Sequence, residues 1–353
     1  MSETREQPAT AGGEHEATPS KATYRLGIVA IGRNEGDRLK RCLASLQREG
    51  QPVVYVDSGS TDGSVEHARH VGAEVVELDM STPFTAARAR NAGYQRLLSK
   101  FGTLDFVQFV DGDCEMAPQW MATAVATFDE QPDLAIVFGR LRELKPDETI
   151  YNRLADMEWD TPIGRVQDCG GIFMIRSGVF RDVEQFNERI IAGEEPELCA
   201  RIRRQDWKIL HLGDDMGWHD AATTHFSQWW KRAIRGGHAF MEGYMHHRGT
   251  PESYGGKSVR SNFAWGLILP LFILATAYPT GGYSLILLLA YPALAAKITL
   301  YRMRSHANPL RQALLYGLFT TLGKFPGALG QIKFWVNRLS GKQTRIIEYK
   351  TAG

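Results

Sequence analysis

Between Ser261 and Ala296 the chain carries no charged residue, and most of its positions are Leu, Ile, Ala, Phe, Tyr or Val. A helix that crosses a bilayer needs about 20 such residues, and Pro279-Thr280-Gly281-Gly282 divides the run into two apolar segments. The pattern predicts a transmembrane helical hairpin over residues 261–302. Lys257 and Arg260 flank one end and Lys297, Arg302 and Arg304 the other, while the connecting turn is uncharged. By the positive-inside bias both ends lie in the cytoplasm. Everything before the hairpin must then fold as a water-soluble unit tethered at its C-terminal side.

The flanking segments fit that plan. Residues 226–260 read as amphipathic linker helices at the membrane surface, and residues 303–353 as interfacial helices and a tail. In the latter, apolar residues alternate with Arg311, Lys324, Lys333 and Arg338, and Pro326 interrupts the pattern, which suits a membrane surface better than a span. Residues 1–22 are rich in Glu, Thr, Ala, Gly and Pro without an apolar run. Such a segment predicts a disordered tail and lacks the apolar centre of a secretory signal. With 41 basic and 40 acidic residues the net charge is +1, which argues against nucleic acid as a partner. Cys42, Cys114, Cys169 and Cys199 are widely spaced, so they suggest free thiols rather than a zinc site or a disulfide framework.

Residues 23–225 alternate short apolar, β-rich runs with helical patterns, as a parallel-sheet α/β domain does. Strands are expected at residues 26–31, 53–56, 75–78, 106–110, 135–138, 171–175 and 208–212. Helices are expected after the first strand, over residues 85–98, and from Pro196 onward.

Acidic residues gather at the ends of these elements. Asp57 closes the second strand, Asp111-Gly112-Asp113 the fourth, and Glu194-Glu195 precede the late helix. Ligands of open α/β sheets bind outside the carboxyl ends of the strands, so these carboxylates are expected to converge on one crevice. A nucleoside diphosphate leaving group needs its charge neutralised, and one or two carboxylates holding a hard divalent cation do this. Pro196 is favoured at the first helical position, which predicts Glu195 at the N-cap and Glu194 just outside it. One of the two could take a proton from an attacking hydroxyl. His219 follows the last expected strand and is a candidate metal ligand. Arg88 and Arg90 are candidates for a phosphate.

In order along the chain, AIGRNEGDRLKRCLASL, VDSGSTDGS, ARARNAG, FVDGDCEM, CGGIFMIRSGVF and GEEPELCARIRRQDWKI resemble the motifs of family 2 glycosyltransferases. The likeness runs from about Leu26 to Gly237. It implies a GT-A fold, Rossmann-like, followed by the C-terminal transmembrane hairpin and amphipathic helices. It also implies a UDP- or GDP-sugar donor near Asn34, Glu35, Asp57, Arg90, Asn91 and Asp111. Mg²⁺ or Mn²⁺ would sit on Asp113, with Asp111 and His219. Glu195 or Glu194 would act as the base, and Gly170, Gly171, Trp229, Trp230 and Arg232 would lie in the acceptor region. The family commonly has Glu-Asp where this chain has Glu194-Glu195, and Gln228-Trp229-Trp230-Lys231-Arg232 only partly resembles the signature of processive synthases. The implied activity is inverting transfer of one sugar, at the cytoplasmic face of a bacterial-type inner membrane, to a lipid-linked saccharide acceptor in contact with membrane lipids. Two other readings are a polyprenyl-phosphate sugar synthase and a non-catalytic membrane-bound nucleotide-sugar sensor.

Overall fold

The computed structural model describes residues 24–47, 50–250 and 253–341; the expected N-terminal tail and the last residues of the interfacial segment lie outside them. Nine strands form one mixed sheet in the order β3-β2-β1-β4-β8-β6-β9-β5, with β7 on β9. The strands are β1 Leu26–Gly32, β2 Val53–Asp57, β3 Glu74–Glu77, β4 Phe106–Asp111, β5 Cys114–Met116, β6 Leu134–Glu143, β7 Gly164–Val166, β8 Phe173–Arg176 and β9 Lys208–His219. Between them lie α1 Asp37–Leu46, α2 Ser64–His70, α3 Ala86–Phe101, α4 Trp120–Glu130, α5 Ile150–Glu158, α6 Ser177–Asp182 and α7 Glu194–Arg203.

The first four strands of the path are parallel, as expected, because helical crossovers join them. Beyond β4 the sheet is mixed: β8 runs antiparallel to both β4 and β6, and β5 and β7 antiparallel to β9, while β6 and β9 pair in parallel. The expectation of a parallel sheet therefore holds for the first four strands and for the β6–β9 pair. β1 is flanked by β2 and β4, so the strand order reverses there and opens a crevice at the carboxyl ends. Register places Asp57 beside Gly32 and Asp111 beside Ile31. Both acidic strand ends thus reach the same edge.

Two boundaries differ from the sequence reading for reasons that matter to the site. β9 runs on to His219 because residues 213–217, whose Gly and Asp composition resembles a loop, pair through their backbone with β6 and β5. His219 is therefore the last residue of a strand, opposite Cys114, and not a residue following one. The late helix starts two residues before Pro196: Gly193 (φ 87°) is its N-cap, and Glu194, Glu195 and Pro196 fill its first turn. Glu195 is inside the helix, not at its cap.

Four long helices and one shorter one follow the sheet: α8 Phe226–His247, α9 Gly256–Ala277 and α10 Tyr283–His306, α11 Leu310–Leu322 and α12 Lys324–Leu339. α9 and α10 are long and apolar enough to cross a membrane, and little of either is covered; Leu274 is 71% exposed and Tyr278, at the turn between them, 96%. Their other ends meet the α/β unit. Arg302, buried near the end of α10, lies 3.4 Å from Asp160. The segment expected to lie on a membrane surface forms α11 and α12, divided at Gly323, with Pro326 in the first turn of α12, where it breaks no hydrogen bond. α12 packs along α8 at very short range: a Cβ on Gly237 would stand 2.1 Å from the carbonyl oxygen of Gly327. Only glycine permits that approach.

Candidate active site

The crevice at the end of β1 and β4 continues under the C-terminal helices as a cavity of about 1090 Å³. Its floor is built from the strand ends and the first turn of α7, and its roof from α8, α9, α11 and the start of α12. Of the sequence-derived candidates, Asn34, Glu35, Arg90, Asp111, Asp113, Gly171, Glu194, Glu195, His219, Trp229 and Arg232 line it.

Arg90 is the hub of the floor. It projects from α3, is almost fully buried, and its Nη1 donates to Glu194 Oε1 at 2.9 Å and to Glu195 Oε1 at 3.0 Å. Its Nη2 donates to Asp111 Oδ1 at 3.0 Å. Burial alone would lower the guanidinium's pKa, but Asp111, Glu195 and Glu194 outweigh it and raise it further. Arg90 is thus occupied by carboxylates, where the sequence suggested a phosphate, because two elements remote in sequence, β4 and α7, deliver three acids to it. Arg88 is spent elsewhere, on the carbonyls of Thr82 and Asp79. Glu195 is the more accessible glutamate, at 15% against 5% for Glu194. Burial, followed by the neighbouring Glu194, pushes its pKa up to about 7, with Arg90 holding it down in part. Gly171, just before β8, leaves the space this cluster occupies: a Cβ there would fall 2.6 Å from Arg90 Nη2 and 3.2 Å from Glu195 Oε1.

On another wall, His219 Nε2 stands 3.0 Å from Asp113 Oδ2, beneath the ring of Trp159. The pairing of β5 with β9 sets this contact, since it holds His219 opposite the residue after Asp113. Cys114 completes a group whose ligand atoms lie within 4.8 Å of one another, but its thiol is fully buried and donates toward Asp113 Oδ1 at 3.6 Å. A carboxylate and an imidazole therefore open onto the cavity with the thiol behind them.

Besides Arg88, four candidates do not line the cavity. Asp57 is buried and fastens its own turn, accepting from the backbone N–H of Gly59 and Ser60 at 2.8 and 2.7 Å and from Tyr55 Oη at 3.0 Å. That turn brings Ser58 to the cavity instead, and Asn34 secures it by accepting from Thr61 N–H at 2.7 Å. Asn91 points away from the cavity, where it donates to the carbonyl of Phe186 and to Glu188 and accepts from Phe186 N–H. Gly170 precedes the lining glycine, and Trp230 leaves the wall to Trp229, which packs edge-on against Phe319 at 5.0 Å. Arg232 pairs with Glu158 at 2.6 Å.

Several lining residues had no sequence signal. Arg33 lies 4.8 Å over the ring of Phe84, and Tyr316, Asn262 and Lys324 come from the apolar C-terminal helices. Only the packing of helices distant in sequence brings them here.

Comparison with known proteins bears on the fold. Residues 28–190 match the model of glycosyl transferase family 2. The pre-mycofactocin glycosyltransferase of Mycobacterium tuberculosis is 27% identical over 239 residues, 64% of this chain and 49% of its own length. The chain thus spans about half of that relative. The glycosyltransferase AglE of Haloferax volcanii is 24% identical over 234 residues, 62% of this chain and 74% of its own. Among solved structures, the mannosyltransferase PcManGT of Pyrobaculum calidifontis, in complex with GDP-Man and Mn²⁺, superposes with a TM-score of 0.60 at 19% identity, covering 90% of each chain. The superposition shows the GT-A fold, and it is residues 28–190 of that fold, a little under half of the chain, that carry the likeness to glycosyl transferase family 2.

Proposed function

We propose that the chain is an inverting glycosyltransferase that moves one sugar from a UDP- or GDP-sugar to a membrane-associated, lipid-linked acceptor. The observation that carries the reading is that two chemical groups line one cavity: the Asp113–His219 pair and the Arg90-held glutamates. One suits a metal-bound diphosphate and the other an attacking hydroxyl.

The cation that the fold family implies fits the first group. A carboxylate oxygen and an imidazole nitrogen already 3.0 Å apart form a mixed O/N donor pair, which suits Mn²⁺ better than the oxygen-seeking Mg²⁺. When bound, the cation would offset the charge that develops on the departing diphosphate. Glu195 takes the acceptor hydroxyl's proton as that oxygen attacks the anomeric carbon from the face opposite the diphosphate, which gives inversion in one displacement. Arg90 fixes the reach of Glu195, and Glu194 occupies the second contact on the same Nη1, so that the base cannot swing away. Asn34, Glu35 and Ser58 line the end of the cavity nearest β1 and β2, where the nucleoside would lie.

The domain plan expected from the sequence is part of the proposal. α9 and α10 anchor the chain in the membrane, with both of their cavity-side ends on the cytoplasmic side, where nucleotide sugars are made. Support comes from Ser258 and Asn262 of α9, which line the cavity, and from the contact of Arg302 with Asp160.

The test is donor turnover by the full chain with Mn²⁺. Asp113→Ala should abolish Mn²⁺-dependent binding of the nucleotide sugar. Glu195→Gln should keep that binding while transfer falls by about 10²–10⁴-fold, the usual worth of a general base. Normal turnover by Glu195→Gln would remove the assignment, and donor binding without turnover in the wild type would favour the sensor.

A further inference from the structure

The cations on the cavity wall differ in one respect. Arg38 pairs with Glu35 at 2.8 Å, Arg232 with Glu158 at 2.6 Å, and Arg90 with three carboxylates. Lys324, half-buried at the start of α12, makes no ion pair or hydrogen bond through its ammonium among the described residues. Burial holds its pKa below the ordinary lysine value, and no carboxylate contributes. A half-buried ammonium facing a cavity without a counter-ion is costly unless an anion arrives with the ligand.

Its location says which ligand. The backbone of Lys324 is in tight contact with α9: a Cβ on Gly266 would lie 2.1 Å from the Lys324 carbonyl oxygen. Beyond this contact α9 presents exposed Ile268, Leu271 and Leu274, and on the cavity side it presents Ser258 and Asn262. A molecule reaching the cavity along this route meets an apolar helix first and an unpaired cation second. Donor-side groups belong to the strand ends, on the floor.

We propose that Lys324 binds the phosphate of a lipid-phosphate acceptor, with the lipid chain leaving along α9. This deepens the transferase reading and rests on it for the acceptor's role, but not for the binding itself. The phosphate chemistry is shared by a lipid headgroup and by free phosphate, so the probes must separate them.

The experiment uses the full chain in detergent, with farnesyl phosphate, farnesol and inorganic phosphate as probes, and the variants Lys324→Gln and Lys324→Arg. Binding is read by calorimetry, or by the thermal stabilisation that a bound ligand confers. Farnesyl phosphate should bind the wild type at least about tenfold more tightly than farnesol, as loss of one charge-assisted hydrogen bond entails, and more tightly than inorganic phosphate, which lacks the apolar chain. Lys324→Gln should lose that advantage, and Lys324→Arg should keep most of it. Affinity for nucleotide sugar with Mn²⁺ should be the same in all three proteins. Equal farnesyl phosphate binding by wild type and Lys324→Gln overturns the proposal, as does inorganic phosphate competing as strongly as the lipid. A fall in donor affinity on Lys324→Gln would overturn it too, by moving Lys324 to the donor side. Should no nucleotide sugar bind to any form, the transferase reading fails, while the farnesyl phosphate comparison still decides the site.

Discussion

Replacing Arg90 by Met tests whether the floor of the site is one electrostatic unit. The guanidinium makes three contacts between 2.9 and 3.0 Å, and two of its partners, Glu194 and Glu195, have little access to water. Asp111 is 35% exposed and can be resolvated. The loss therefore falls on the glutamates, and leaving buried charge without its partner costs about 3–5 kcal/mol. For a domain of this size that lowers the thermal midpoint by something on the order of 10 °C. The deficit should also depend on pH. Glu195 titrates at about 7 with Arg90 in place; without the cation its folded pKa moves higher. A carboxyl raised above its unfolded value loses stability as pH climbs toward its folded pKa, so the variant goes on losing stability above the point where the wild type has finished. Below that point Glu195 is protonated in both, and adds nothing to the difference. The deficit should widen between about pH 6 and about pH 9, by up to about 1.4 kcal/mol for each unit over which only the wild type is ionised. The assay is thermal unfolding of the full chain in detergent, followed by tryptophan fluorescence, at both pH values. Arg90→Lys serves as the control that keeps the charge but not the fork. Equal midpoints for Arg90→Met and wild type at both pH values would refute the hub, and a deficit that narrows with rising pH would refute the ionisation argument.

The same carboxyl sets the pH response of activity: a base with a pKa of about 7 is proton-free only above it, so transfer at saturating donor should fall as pH drops through 7. A pH–rate profile flat into the range of an ordinary glutamate would disprove this. Gly171→Ala places a methyl carbon 2.6 Å from Arg90 Nη2, closer than real contacts allow, so Arg90 must shift and Glu195 with it. We expect about a hundredfold loss of kcat with little change in donor affinity, on the principle that small displacements of a positioned group are costly. A loss confined to donor KM would show that the glycine serves the donor instead.

How much of this was legible in the sequence depends on whether an element carries its own signal. β1 is apolar throughout and β4 is apolar apart from Gln108 up to its closing Asp111, and both end in polar turns, so the edge holding Asp111 and Asp113 could be read directly. The uncharged run after Arg260 likewise announces α9 and α10. β9 could not be read to its end, because its last half is held by backbone pairing on two sides and not by apolar side chains. Pro196 misled by two residues, since a left-handed glycine before it provides the cap. Arg90 and Asn91 are adjacent in sequence yet only the first lines the cavity, and nothing local separates a residue that meets the cavity from one that ties down the loop at Phe186. Its partners Glu194 and Glu195 lie 104 and 105 residues away. Lys324 reads as one basic residue in an interfacial pattern; its isolation exists only once α9 and α12 are packed.

On the proposed reading, the Arg90 floor and Lys324 in the roof decide which end of an acceptor reacts. The floor already balances Arg90 against three acids, so an acceptor phosphate arriving there would meet net negative charge, and repulsion between like charges is strong where water is excluded. The roof offers a cation whose charge nothing offsets. A lipid phosphate is therefore drawn to the Lys324 end and kept from the glutamates. This leaves the hydroxyl at the other end of the acceptor's headgroup as the atom that Glu195 can reach. Moving the cation should then disturb the orientation as well as the affinity. A Lys324→Gln protein supplied with saturating acceptor should hydrolyse donor at the wild-type rate while a larger share of the sugar is lost to water. An unchanged ratio of transfer to hydrolysis at saturation would mean that the phosphate contact contributes binding alone, and that orientation is set by the sugar-facing walls near Trp229.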